Sequence, residues 1–304
     1  MNNHLDEISN ALHIRPFAGH LGARVTGVDL SQSLPQETQL SVWSAMLRYK
    51  VLFFPDQNLN HAQHARLGRS FGQLIRLPTP HDVMTAEGYP EIDAVGSRDQ
   101  DEHRLVDHNA GWQTYLSAAV NPPAASILRA ERVPSFGGDT HWANLEAALS
   151  GLSPAVRDLA EQLRAEHACC DRNGMEVNNG HPLASEHPVV RIHPETGLGS
   201  LFVNPVSTRR IIGLNPSQSR ALLDLFFEQI TRPEFTVRWR WSPGDVVVCD
   251  NRSAAYLSFG DASERRLFYR VMMLGDTPVG PDGKTSLPIV GESITAGPDW
   301  SVTK

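Results

Sequence analysis

Apolar positions along the chain recur with two different periods, and the points where the period changes mark the predicted elements. Residues 14–28 carry short β-like pieces separated by Gly19, Gly22 and Gly27, as an opening meander would. Helical spacing follows. Leu40, Trp43, Met46 and Leu47 recur at three- and four-residue steps, behind Ser33 as cap, Pro35 in the first turn and Gln36 three residues after the cap. Val51, Leu52, Phe53 and Phe54 form an unbroken apolar run that predicts a short buried strand ended by Pro55 and Asp56. A second helix is predicted over residues 60–70, with His61, His64 and Arg66 solvated. Residues 78–111 are rich in Pro, Asp, His and Gly around one apolar piece at 92–95, and read as a long loop region. Binding residues concentrate in such loops, so Arg76, His81, His103, His108 and Asn109 are candidates for substrate contact.

Short strands dominate the rest. Residues 124–133 predict a strand, Gly137-Gly138-Asp139-Thr140 a turn into His141-Trp142, and residues 144–149 and 154–165 two helices. Residues 169–188 read as an irregular excursion over the pocket, and residues 189–193 and 201–204 as a hairpin. Asn215, Pro216 and Gln218 begin a helix whose apolar stripe is Leu222, Leu225, Phe226 and Ile230. Phe235, Val237, Trp239 and Trp241 alternate with Thr236, Arg238 and Arg240 in a strand, and Ser242-Pro243-Gly244-Asp245 turns into another at 246–249. The tail after Pro278 is rich in Gly, Pro, Ser and Thr and is expected to pack loosely. With no Gly-rich phosphate loop after a strand, this pattern predicts an α+β fold with a β-sandwich or barrel core. It reads as a single domain over 1–304, with an ordered core at about 14–278, a tail at 279–304 and no internal repeat.

Composition narrows the function classes. At 304 residues, 40% hydrophobic and 20% charged, the chain has the means to bury a sizeable core. A formal charge of -7, with acids and bases interspersed, leaves no basic stripe for nucleic acid. The polar, acidic start lacks the features of a secretory signal, and no run has the length of a membrane span. Cys169, Cys170 and Cys249 do not make a disulfide framework, so a cytoplasmic setting is expected, with Cys249 as small core filler in its strand rather than a nucleophile.

Candidate chemistry gathers in two distant stretches, Trp112-Gln113-Thr114-Tyr115 and the run from Asp250-Asn251-Arg252 to Arg270. In extended backbone Gln113 and Tyr115 share a face, as do Arg266, Phe268 and Arg270. Leu267, Phe268, Val271, Met272, Met273 and Leu274 predict that the strand is buried, and a buried guanidinium is costly unless an anion compensates it. A bound carboxylate is the expected partner.

Trp112-Gln-Thr-Tyr, Pro122-Pro123, Gly137-Gly138-Asp139-Thr140, His193-Pro194, Phe202-Val203-Asn204, Trp239-x-Trp241, Asp250-Asn251-Arg252 and Arg265-Arg266-x-x-x-Arg270, in this order, resemble the taurine dioxygenase (TauD/TfdA) family. The resemblance runs from about residue 14 to 278. It implies a double-stranded β-helix, or jelly-roll, core with flanking helices, and enzymes that use iron and 2-oxoglutarate. The family holds iron by a His-x-Asp pair after a Trp and by a distal His after Asp-Asn-Arg. Here Gln113, Tyr115 and Tyr256 stand at those positions. An amide and two phenols are a poor ferrous set, so no metal is expected in the site and no cofactor, with Fe(II) and 2-oxoglutarate as the alternative. The only other His-x-acid steps, His4-Leu5-Asp6 and His193-Pro194-Glu195, are read as non-catalytic. By the same resemblance Thr140 and Arg266 contact the cosubstrate carboxylate and Asn109 contacts substrate, while Leu77 stands where the taurine enzyme has a histidine.

Gln113, Tyr115 and Tyr256 form a set able to do acid–base work on a small acid, and Arg266 and Arg270 a set able to bind one. A tyrosine buried beside arginines has its pKa drawn down by their charge and pushed up by desolvation. Three readings stay open. The first is a metal-independent isomerase, lyase or cyclase acting on a small anionic, biosynthetic substrate. The others are a dioxygenase with unusual metal ligands and an inactive ligand-binding protein. Neither nucleic acid nor membrane is an expected partner, and a homo-oligomer remains open.

Overall fold

The computed structural model of the chain describes residues 12–76, 85–96, 111–169, 183–258 and 266–296. Its largest sheet has eight strands in the order His13–Pro16, Ala23–Thr26, Val51–Phe54, Val246–Asp250, Ala125–Arg132, Leu267–Met272, Tyr89–Gly96 and Thr85–Ala86. All neighbouring pairs are antiparallel except Ala23–Thr26 with Val51–Phe54. Strands Thr236–Trp239, Thr140–Asn144 and Ala254–Ser258 form a three-stranded sheet that faces it.

Alternation explains the layering. Val51, Phe53, Val247 and Cys249 point between the sheets, where they meet Trp142, Val237, Trp239 and Ala254. Phe53 stacks on Trp239, with ring centroids 4.3 Å apart and planes at 6°. Leu52, Phe54, Val246 and Val248 point the other way, onto Val42, Ala45 and Met46 of helix Gln36–Tyr49 and Ala65 and Leu67 of helix His61–Arg69. A strand buried on both faces reads as an unbroken apolar run, which is why residues 51–54 lack alternation. This is the jelly-roll core with flanking helices that the motif order implied. Burial pushes the Cys249 thiol well up, and the neighbouring Asp250 adds to it, so this cysteine is filler and not a nucleophile.

Several local expectations are corrected. Pro35, not Ser33, is the first cap, without a side-chain bond, and Leu40 is exposed. Asn60 and Gln63 form a full capping box on the second helix, which places His64 at 0% exposure beneath the sheet, its Nε2 3.2 Å from the Ile127 carbonyl. The 154–165 helix ends at Ala160, because Arg164–Cys169 is a strand. That strand pairs with Leu183–Pro188, inside the expected excursion, and these two with Thr208–Ile211 and Leu287–Val290 make a four-stranded sheet. The described part of the tail is tied to the body of the fold: an exposed strand adds a sheet edge, and beyond it the Ile294 backbone exchanges two hydrogen bonds of 2.8 Å with the Asn121 side chain. Residues 78–84 and 97–110 of the expected loop, with His81, His103, His108 and Asn109, lie outside the described residues, whereas 85–96 contains two strands. Arg76 is exposed. No helix among the described residues is long and apolar enough to cross a membrane.

Candidate functional site

The two stretches singled out in the sequence meet directly. Gln113 N–H donates to the Tyr256 carbonyl at 2.9 Å and Tyr256 N–H to the Gln113 carbonyl at 2.8 Å, so the two residues are a hydrogen-bonded antiparallel pair. Two residues on, Tyr115 lies over Tyr256 with ring centroids 4.2 Å apart and planes at 28°. The next residue, Leu116, has φ 48°, a left-handed conformation uncommon for leucine that turns the chain immediately after the tyrosine. Ile75, Met272, Leu274 and Ile294 enclose this pair with apolar surface.

Arg270 reaches the same place from the Leu267–Met272 strand. Its guanidinium carbon is 4.3 Å from the centre of the Tyr115 ring, within cation–π range. Its Nε and Nη2 donate to Asp93 Oδ2 at 3.2 and 2.9 Å. Asp93 and Arg270 are register partners across the sheet, and Asp93 is itself buried. The anion that this arginine requires is thus supplied by the chain, a correction to the expected bound carboxylate. Asp93 went unnoticed within its apolar piece; a lone acid between Ile92 and Val95 was the available signal. Burial opposes the charge on Arg270, but the Tyr115, Asp93 and Tyr256 groups around it hold the guanidinium protonated above its ordinary range. Burial also drives the Tyr256 phenol well above its usual range, with Tyr115 contributing, and overcomes the pull of Arg270. Tyr256 is therefore a protonated phenol at neutral pH.

A second group sits further along the same strand. Thr140 and Ser258 are register partners, as are Trp142 and Tyr256, so Thr140, Ser258 and Tyr256 share one face. Arg266 Nη1 donates to Ser258 Oγ at 3.1 Å, and Trp241 Nε1 donates to Thr140 Oγ1 at 2.9 Å. Tyr256 and Ser258 are two steps apart along the strand, about 7 Å at the usual rise. The pairing thus brings Arg266, Ser258 and Thr140 together, one side-chain repeat from the phenols. Ser258 becomes a site residue only through the pairing of residues 254–258 with 140–144, and Trp241 only through its bond to Thr140. Gly96 lies so close to the Arg266 carbonyl that a Cβ there would collide with backbone. Gly96→Ala is expected to shift that arginine and to cost roughly 1–3 kcal/mol of stability, measured by urea unfolding.

The His-Pro and Asp-Asn-Arg motifs have a different role. His193 Nδ1 accepts from the Glu195 and Thr196 amides at 3.1 and 3.2 Å, which leaves Nε2 as the donor to Asp250 Oδ2 at 2.8 Å. Arg252 donates to Asp250 Oδ1 at 2.9 Å and to Glu195 Oε1 at 2.7 Å. Burial by itself would raise the Asp250 pKa, but the His193 hydrogen bond and the Arg252 charge hold it well below the carboxylate range. This cluster ties the 190–201 hairpin to the central strand, in keeping with the non-catalytic reading of His193.

Fit to a metal can be tested on the donors. No group of three or more His, Cys, Asp or Glu side chains able to hold a metal is gathered among the described residues. Gln113 is a neutral amide, Tyr256 keeps its proton, and the phenol rings are stacked on each other, so this trio does not fit a divalent metal. The arginine and hydroxyl end, by contrast, suits a carboxylate.

Two facing sheets with flanking helices, with Arg266 and Arg270 reaching the site from one strand region, define a jelly-roll protein. The family model for the taurine catabolism dioxygenase TauD, TfdA family matches residues 13–272, and the chain belongs to that family. It is 33% identical over 291 residues to an alpha-ketoglutarate-dependent sulfate ester dioxygenase of Pseudomonas putida, covering 90% of this chain and 93% of that protein. A solved structure of a putative alpha-ketoglutarate-dependent taurine dioxygenase from Burkholderia xenovorans is similar at 39% identity and a TM-score of 0.82, over 93% of this chain and 100% of that one. A structure of AAD-2 in complex with Mn(II) and N-oxalylglycine is similar at 26% identity and a TM-score of 0.74, over 88% of this chain and 99% of that one. These relatives correct the expectation that no cofactor is used: their names point to a metal and to 2-oxoglutarate. They favour the dioxygenase reading over the metal-independent enzyme that the sequence reading placed first.

Proposed function

We propose that this chain is a 2-oxoglutarate-binding protein of dioxygenase type, in which Arg266 takes a carboxylate of the keto acid with Thr140 beside it. Gln113, Tyr115 and Tyr256 stand at the positions where the family places its metal ligands. The observation that carries the reading is the strand register, which puts Arg266, Ser258 and Thr140 on the face that leads to Tyr256. An acid anchored there would direct its other end at the two phenols. The relatives' dependence on alpha-ketoglutarate supports the choice of acid. Because the amide and phenols do not fit a metal, their assigned work is narrower. Tyr256 holds a proton as a hydrogen-bond donor, Gln113 offers its amide, and the ring stack with its apolar surround keeps water from the far end of the bound acid.

Calorimetric titration of 2-oxoglutarate into the full chain tests the binding step. Arg266→Met is expected to weaken binding by about 2 kcal/mol, or roughly 30-fold, the scale of a lost charge-assisted contact. Equal affinity in both chains would remove Arg266 from the site. Succinate assayed with iron and ascorbate present tests the oxidation: release above the no-enzyme control supports it, and none with bound 2-oxoglutarate counts against it.

One observation favours a second reading, proton transfer on the bound acid: the Arg270 guanidinium covers the Tyr115 ring, and Tyr256 is stacked on that ring and feels the same charge. On that reading Tyr115→Phe and Tyr256→Phe keep acid affinity and lower turnover by about 10² to 10⁴-fold. Weakened binding in both variants would instead point to an inactive ligand-binding protein.

A further inference from the structure

The far wall of this site is electrically closed by the chain itself. Arg270 and Asp93 face each other across the sheet and are bonded at 2.9 and 3.2 Å, with Asp93 only 5% exposed. The guanidinium also covers the Tyr115 ring, whose stacked neighbour Tyr256 is uncharged. Among the described residues, one positive and one negative charge leave no surplus on this wall. An anion brought here would have to share the guanidinium with Asp93 or displace it, and either outcome strands a negative charge away from water. An uncharged group meets no such penalty, since phenol rings and hydroxyls offer it contact and hydrogen bonds.

We propose that the substrate group received beside Arg270, Tyr115 and Tyr256 is uncharged, apolar or hydroxyl-bearing, and that Asp93 sets this specificity by neutralising Arg270. This rests on the reading that Arg266 takes the acid of the keto acid, so the two arginines have different work. Arg266 binds an anion from solution. Arg270 carries its own counter-ion.

The test uses methanesulfonate and inorganic sulfate as anion probes, followed by calorimetry and thermal shift on the full chain. Arg266→Met is the background, so that binding at the keto-acid end does not contribute. In that background neither probe is expected to give a saturable response. Adding Asp93→Asn frees the guanidinium, and methanesulfonate should then bind at least about ten-fold more tightly, a gain that a further Arg270→Met change removes. The proposal is overturned if the Arg266→Met chain already binds either probe saturably and loses that binding with Arg270→Lys. It is equally overturned if Asp93→Asn folds and gains nothing. Should Asp93→Asn not fold, the Arg266→Met chain with and without Arg270→Lys decides: no saturable response supports the proposal, and an Arg270-dependent one sinks it. Failure of the keto-acid reading shows separately, as 2-oxoglutarate binding that Arg266→Met leaves unchanged.

Discussion

Stability is expected to fall by roughly 3 kcal/mol or more between pH 7.5 and pH 5.5, a window in which most proteins change little. The cause is three buried histidines. Burial, aided by nearby Arg129, lowers His64 to about 3; burial, aided by Arg209, lowers His167 to about 3; and burial with the neighbouring His167 holds His187 well below its usual value. All three are at 0% exposure. In the unfolded chain each titrates near 6.5, so below that pH the unfolded state binds protons that the folded state refuses. The sign follows: stability is full above pH 6.5 and is lost as the pH falls toward the folded values. At pH 5.5 each of the two imidazoles held near 3 contributes a loss on the order of 1 kcal/mol by linkage and His187 adds to it in the same direction, a sum that is a large share of a domain's total stability of about 5–15 kcal/mol. Urea unfolding at a series of pH values checks this. A flat profile down to pH 5.5 would mean that these imidazoles gain protons in the folded state.

Asp250→Ala carries the second large effect, an expected loss of about 3–5 kcal/mol at neutral pH. The carboxylate has no exposure and binds His193 on one oxygen and Arg252 on the other. Removing it leaves Arg252, buried at 4% exposure, with Glu195 as its one carboxylate among the described residues, and frees the hairpin that His193 ties down. The same depressed pKa adds a second acid step: the stability that Asp250 contributes is present above about pH 4 and disappears as the pH falls toward its folded value. Urea midpoints for Asp250→Ala and Arg266→Met separate scaffold from site, since only the first should lose several kcal/mol.

The parts of the fold legible in the sequence were those whose pattern reports one environment. Asn215 and Pro216 predicted the helix observed at Pro216–Ile230, where Asn215 Oδ1 accepts from the Gln218 amide. The Phe235 to Trp241 alternation predicted a strand because one face packs between the sheets and the other meets solvent. His64 defeated the reading because helix polarity is a property of faces, and its face turned inward beneath Ile127. Strand Leu183–Pro188 was missed because Ser185, Glu186 and His187 resemble a loop until their partners at His167, Glu166 and Ala165 are known. At the site, motif order located Gln113, Tyr115, Tyr256 and Arg266, but Asp93 became meaningful only once register placed it against Arg270. Charge compensation across a sheet leaves no local signature.

The bond between Ile294 and Asn121 also bears on when the site can exist during synthesis. About 180 residues of chain separate Tyr115 from Ile294, which at roughly 5–20 residues per second is some ten seconds or more of elongation. Until the tail emerges, Tyr115, Met272 and Leu274 lack the apolar side chain that closes over them, and the Leu183–Pro188 strand keeps an open edge. The site is therefore among the last regions to close, and a nascent chain stalled before residue 287 would present both an uncovered aromatic pair and an unpaired strand to its surroundings.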